Sequence, residues 1–178
     1  MSSAEHQTGE MPVLETRRLR LRPFATDLSD MDAMVPVLGD PFSMRFYPRP
    51  FDRSGVAAFI ERQLERYRID GFGLSVIEDR RTGEVLGDCG PTMQHVDGES
   101  FVELGWHVRP DRQRRGIATE AGVAWRDHCW ERREAERLIS LIRPENVPSA
   151  AVARRLGFQP WRGTVHAGIA HIVWSSRR

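Results

Sequence analysis

Between Arg109 and Ala121 the chain reads RPDRQRRGIATEA: four arginines around a short turn, one glycine, then small residues and a Glu. The preceding FVELGWHV alternates as a strand does and the following IATEAGVAW has helical spacing, so the arginines occupy a loop that opens a helix. Such a loop leaves backbone N–H groups without partners, and the helix dipole adds positive potential, which together suit a phosphate. Gly116 lets the backbone turn tightly against a ligand and Ala118 leaves the helix start unobstructed. Arg112, Arg114 and Arg115 can then make charge-assisted contacts with more than one phosphate. On the motif alone, a solvated basic loop before an ordinary helix fits equally well. A dinucleotide fold fits less well: GxGxxG is absent, and the strand in front is the fourth or fifth of its sheet, where the fingerprint requires the first.

The composition makes any anion site local. Across 178 residues, 26 basic side chains, all arginine, stand against 25 acidic ones. That balance argues against a general polyanion surface, and no basic face with interleaved aromatics marks a nucleic-acid binder. The length suits one domain. Cys89 and Cys129 stand far apart, without a CxxC or paired histidines, so they read as buried thiols, and no metal site is expected. The polar start MSSAEHQTGE lacks the apolar core of a secretory signal, and no apolar run reaches the roughly 20 residues of a membrane span. The expectation is a cytoplasmic protein, monomer or homodimer, with no membrane or nucleic-acid partner.

The elements that must position the loop follow from periodicity. LRLRPF (Leu19 to Phe24) reads as a strand, and Asp27 or Ser29 as the cap of a short helix ending near Gly39. The run DPFSMRFYPRPF, Asp40 to Phe51, is too broken for a regular element. Asp52 caps a helix with Val56, Phe59, Ile60, Leu64 and Tyr67 on its apolar stripe, ended by Gly71. Strands follow at FGLSVIED, VLGDCGPTM and FVELGWHV, the last with Val102, Leu104, Trp106 and Val108 on one face and Glu103, Gly105 and His107 on the other. Beyond the arginine loop come a helix to about Arg132, a buried strand LISLIRP, a helix in NVPSAAVARRLGF stopped by Gly157, and two closing strands. The order predicts an α/β fold: a mixed, mostly antiparallel central sheet flanked by helices. A flexible tail over 1–12 and a single domain over 13–178 are expected.

Taken together, QRRGIA (Gln113 to Ala118), the longer WHVRPDRQRRGIATEA, the Asn-x-x-Ser helix ending in Gly-Phe (Asn146 to Phe158) and the opening LETRRLRLRPF resemble the GCN5-related N-acetyltransferases, in their RimJ/RimL-type branch. The likeness spans nearly all of the chain after the tail. It implies the acyl-coenzyme A N-acyltransferase fold of that family and acetyl-coenzyme A as donor. The pyrophosphate would sit at Arg114, Arg115, Gly116, Ile117, Ala118 and Thr119, beside Gln113, and the pantetheine arm along Trp106, His107 and Val108. Asn146 and its helix would clasp the arm from the other side, and Arg155 would reach the ribose phosphate. Ala118 replaces the second glycine, a variation the family pattern permits. Trp174 stands where the branch often has Tyr, in the acceptor pocket.

Acetyl transfer needs a neutral amine and a proton for the departing thiolate. An α-amino group titrates near 8 and lysine near 10.4, so a base helps. Glu103 is the expected base, with pairing to an arginine as its structural alternative; His107, about 6.6 Å further along the same face, is the reserve. Ser149 would assist the leaving thiolate or simply cap its helix. Phe42, Phe46, Tyr47 and Phe51, with Arg45 and Arg49, would border the acceptor, a protein N-terminus or a small-molecule amine. The alternative is a non-catalytic acyl-coenzyme A binding or sensing domain.

Overall fold

The β-patterned runs build one eight-stranded sheet in the computed structural model of the protein, which describes residues 11–133 and 135–178. Its strands are β1 (Leu14–Glu15), β2 (Leu19–Arg22), β3 (Ser75–Asp79), β4 (Val85–Val96), β5 (Glu99–Val108), β6 (Arg137–Ile142), β7 (Gln159–His166) and β8 (Ile169–Arg177). They lie in the order β1-β2-β3-β4-β5-β6-β8-β7. Among the described residues β5 and β6 form the parallel pair and the other neighbours are antiparallel. The sheet is therefore mixed and mostly antiparallel, as expected.

Among the described residues four α-helices cover it: α1 (Met31–Leu38), α2 (Arg53–Asp70), α3 (Ile117–Glu131) and α4 (Val147–Arg155). Successive strand residues face opposite sides. Val76 accordingly packs with Met34, Val56, Phe59 and Ile60 of α1 and α2. Ile77, next to it, packs with Trp125 of α3 and Ala153 of α4. Asp52 caps α2, its carboxylate accepting the Gly55 N–H at 2.7 Å, and Gly71 ends it in the left-handed conformation, φ 77°. The Gln63 side chain, on the buried stripe of α2, caps a strand instead of packing: its Oε1 accepts the Leu74 N–H at 3.1 Å.

One expectation is corrected. Asp30, in place of Asp27 or Ser29, holds the N-cap position of α1, and it makes no capping bond there. Its carboxylate accepts instead from the Arg22 guanidinium at 2.8 and 2.9 Å and from the Ala25 N–H at 2.9 Å, while Asp27 accepts from Ser29 N–H. The tail expected over 1–12 lies outside the described residues as far as Glu10; Met11 is buried in the core. Strand β1 was not foreseen, because two residues carry no periodicity.

Glu120 fastens the start of α3 to the opposite end of the chain. Its Oε1 accepts from Thr16 Oγ1 at 2.6 Å and Arg18 N–H at 2.9 Å, and its Oε2 from Arg18 Nε at 2.6 Å. Burial works against its charge, yet these donors hold its carboxyl below the ordinary range. A depressed folded value stabilises the fold above the unfolded value and loses that contribution as pH falls. Glu120→Gln should therefore cost about 1 kcal/mol at neutral pH. Denaturant titrations of the two proteins should converge as pH falls below about 4.

Candidate functional site

The β5–β6 ladder stops after two parallel pairs, Val102 with Leu138 and Glu103 with Ile139, although both strands run on. Side chains fill the divergence: Ser140 Oγ donates to the Leu104 carbonyl at 2.7 Å, and Leu141 N–H donates to Glu103 Oε1 at 3.1 Å. Beyond them the strands part, and a cleft of about 1490 Å³ opens at their C-terminal ends, the usual position for a ligand in an open α/β sheet. A single small ligand occupies roughly 300–1,000 Å³. This cleft has room for a long ligand and a second reactant.

The arginine loop forms one wall. Gly116 stands at the N-cap of α3 with φ 76° and offers no side-chain cap. The first turn is thus left to the cleft, which Ile117, Ala118 and Thr119 line. Arg114 is also left-handed, φ 58°, although it carries a side chain, a conformation that costs about 1 kcal/mol or more and concentrates at binding sites. The four arginines divide. Arg109 and Arg112 donate to Glu84 at 2.8 Å and pair with Asp111, whereas Arg114 and Arg115 are exposed on the cleft, which Arg112 lines with its guanidinium already paired. The contact expected from Arg112 is therefore absorbed by Glu84. Gln113 also works locally, its Nε2 donating to the Val108 carbonyl at 2.9 Å and to Ser43 Oγ at 3.1 Å. Arg17 and Thr16, from the opening LETRRLRLRPF and not expected at the site, complete this wall.

The start of α4 forms the facing wall. Asn146 is its cap, Oδ1 accepting the Ser149 N–H at 3.2 Å. Capping falls to Asn146, and Ser149, with Arg155, lines the cleft. Arg154 points elsewhere, over the Trp174 ring at 5.0 Å. Trp174 itself is 4% exposed and belongs to the core, so it shapes the cleft only from behind.

The aromatic loop closes the mouth. Phe42, Arg45, Phe46 and Tyr47 line the cleft, with the Arg45 guanidinium 3.9 and 4.4 Å from the two phenylalanine ring centres. Met44 anchors the loop in the core, and Arg143 NH1 holds the Phe46 carbonyl at 3.1 Å. Phe51 packs toward Phe59 beneath it, and neither Phe51 nor Arg49 is among the described lining residues.

On the α1–α2 face, register places Asp88 of β4 directly across from His107 of β5. Asp88 accepts from His107 Nδ1 at 2.9 and 3.1 Å, and His107 Nε2 meets Tyr47 Oη at 2.8 Å. With the carboxylate ionised and the ring neutral, Nδ1 carries hydrogen and Nε2 takes the Tyr47 hydroxyl hydrogen. Burial works to lower the His107 value, but the Asp88 charge and hydrogen bond outweigh it and hold the imidazole above its ordinary range. Desolvation of the hydroxyl, then the charges of Asp88 and Glu103, keep the Tyr47 phenol protonated, although the residue as a whole is 41% exposed.

Glu103 shares that face but is not among the described residues lining the cleft. Burial pushes its carboxyl above the ordinary range, against the Leu141 N–H and Gln94, which lower it. No helix among the described residues is long and apolar enough to cross a membrane.

Residues 18–159 match the sequence family described as an acetyltransferase (GNAT) domain. The chain is 29% identical over 144 residues to the uncharacterised protein YkkB of Bacillus subtilis, covering 81% of this chain and 83% of that one. Among solved structures, an acetyltransferase from Agrobacterium tumefaciens is 30% identical with a TM-score of 0.79, covering 96% of each chain. RimJ of Mycobacterium smegmatis, solved with a coenzyme A disulfide, shares the fold at 22% identity and a TM-score of 0.69, over 93% of this chain and 86% of that one.

Proposed function

Because the chain belongs to the acetyltransferase (GNAT) family, we propose that residues 13–178 form one N-acetyltransferase domain. It moves the acetyl group of acetyl-coenzyme A to a primary amine, a protein N-terminus or a small molecule, by direct attack while both are bound. The carrying observation is the first turn of α3, uncapped by a side chain and opening at Gly116 onto a cleft flanked by Arg114 and Arg115. Unpartnered N–H groups at a helix start, with two exposed guanidinium groups beside them, are the chemistry that holds a diphosphate. In this reading Ile117, Ala118 and Thr119 present those N–H groups, and Arg155 meets the phosphate at the far end. Trp106, His107 and Val108 supply the strand edge for the pantetheine arm, across from Asn146.

The coenzyme, when bound, supplies a thioester whose acyl carbon is open to an amine. The chain's part is to orient that amine, exclude water and handle protons. The Ser149 hydroxyl, on the cleft wall beside the Asn146 cap, donates to the leaving sulfur. Glu103 spans the strand divergence through the Leu141 N–H. There its charge supports the groups in front of it, and the role of base it was expected to fill passes to groups on the cleft wall. Buried cysteines leave no covalent nucleophile in the scheme: burial raises the Cys89 thiol well above its ordinary range, and Cys129 is buried in α3.

Calorimetry with acetyl-coenzyme A should show stoichiometric binding. A panel of alanine- and serine-initiated peptides, amino acids, spermidine, an aminoglycoside and 2-phenylethylamine, followed by thiol release and the mass gain of one acetyl group, should reveal an acceptor. Binding without transfer to any of them would leave a coenzyme-sensing domain, and the absence of binding would remove the proposal altogether.

A further inference from the structure

We propose that Asp88, His107 and Tyr47 form a proton relay in which Tyr47 Oη takes the proton of the acceptor amine and passes its own to His107. The relay rests on the acetyltransferase reading above. Three features of the geometry carry it. The bonds run in series, Asp88 to Nδ1 and Nε2 to Tyr47 Oη, all between 2.8 and 3.1 Å. Exposure rises along the series, from 0% for the Asp88 side chain through 15% for His107 to 41% for Tyr47, so the chain leads from the core to the cleft. Tyr47 and His107 both line that cleft, whereas Glu103 does not.

A carboxylate buried beside an imidazole costs solvation and returns it only through that bond. Packing against His107 explains neither why a carboxyl stands at the fully buried position 88 nor why Tyr47 turns its hydroxyl inward. A relay explains both. As the C–N bond forms and the C–S bond breaks, the amine proton moves to Tyr47 Oη and the Tyr47 hydroxyl hydrogen moves to His107 Nε2. The imidazolium is stabilised by Asp88, which stays ionised. On return the proton passes back through Tyr47 into the cleft, which Ser149 also lines, and is taken up by the coenzyme sulfur, so that amide plus thiol leave with all atoms accounted for. Tyr47 and His107 are the catalytic groups here, and Asp88 is a positioning residue.

The charged and titratable groups bearing on His107 are Asp88 across the ladder and Glu103 along its own strand, with the Tyr47 phenol against its ring. Phe59 of α2 meets the ring edge-on. Both carboxylates favour the imidazolium. His107 must be neutral to accept, so kcat/KM should rise with pH through a value above about 6.5. Asp88→Asn should move that limb to lower pH, since burial then acts on the ring with only the Glu103 charge opposing it, and should lower the plateau.

The test uses the panel amine turned over fastest, with nitrogen-15 NMR titration of the histidines as a readout independent of any acceptor. Tyr47→Phe and His107→Asn should each lower kcat by about 100-fold, with acetyl-coenzyme A affinity unchanged by calorimetry in Tyr47→Phe. The double variant should be no worse than either single one, as for groups that act as a unit. The NMR titration of His107 should shift downward in Asp88→Asn. Single variants that retain parental kcat, or a His107 titration indifferent to Asp88, would overturn the relay while leaving acetyl transfer intact. Loss of the acid limb in Glu103→Gln alone would return the base to Glu103. No turnover by the parent protein with any amine would instead sink the acetyltransferase reading.

Discussion

Gly87→Ala should unfold at a markedly lower urea concentration than the parent protein, with a loss of about 3 kcal/mol. Gly87 is paired with Ile77 on one side and Val108 on the other, next to a register shift in the β3–β4 ladder. Its φ is 154°, and a β-carbon there would lie 2.0 Å from the His107 carbonyl oxygen and 3.0 Å from Val108 Cα. Both obstacles are backbone, held on either side by the sheet, so no side-chain rotation relieves the clash. Either β4 or β5 must move, and the carbonyl in the way belongs to the residue that Asp88 and Tyr47 hold. Gly105→Ala is the control: its β-carbon would meet the flexible Leu74 Cδ2 at 3.5 Å, an ordinary contact. It should fall within about 0.5 kcal/mol of the parent. The comparison is made at the denaturation midpoint with unchanged slope. Equal midpoints for the two variants would show that β5 yields freely and that the glycine is not required by the close approach.

The ease with which the two halves of the site could be read from sequence differs for a physical reason. The half assigned to the diphosphate is local in the chain: strand, turn, glycine and helix follow one another within Arg109 to Ala121, so periodicity and turn chemistry expose it. The same holds for α4, whose Asn146 cap lies three residues from the amide it binds. What composition could not show is how charges are spent. Arg112 looks like its neighbours until Glu84, 28 residues away, is folded against it. The relay needs still more, since it joins a loop, β4 and β5. Its strand half was within reach: Asp97 and Gly98 form a two-residue turn with positive φ at both positions, the hairpin signal of an Asp-Gly pair. Counting back from that turn sets Asp88 opposite His107. Tyr47 offered no such count, because an irregular loop of prolines and aromatics carries no register. Glu103 was assigned to the correct face of β5. Its distance from the cleft depends on where β5 and β6 part, and two parallel pairs 36 residues apart leave no local trace.

Removing both exposed arginines, Arg114→Ala with Arg115→Ala, should weaken acetyl-coenzyme A binding by about 100-fold. Each charge-assisted contact contributes roughly 1.5–3 kcal/mol when well made, and exposure on the cleft reduces this through solvent and salt. Two contacts at the lower end give the stated factor. Binding should persist, because the N–H groups at the start of α3 remain, and it should depend less on ionic strength than in the parent. Arg112→Ala is the informative partner. Its guanidinium is committed to Glu84 and Asp111, so its loss should register in stability and leave coenzyme affinity nearly unchanged. Acetyl-pantetheine separates the contributions further, since it keeps the thioester and arm but lacks the diphosphate. With this donor kcat/KM should be the same in the double variant and the parent, while with acetyl-coenzyme A it falls in step with affinity. Equal losses with both donors would mean that these arginines shape the cleft as a whole, and the diphosphate would then have to lie elsewhere, with Arg17 or Arg155 on the cleft rim as the next cations to remove.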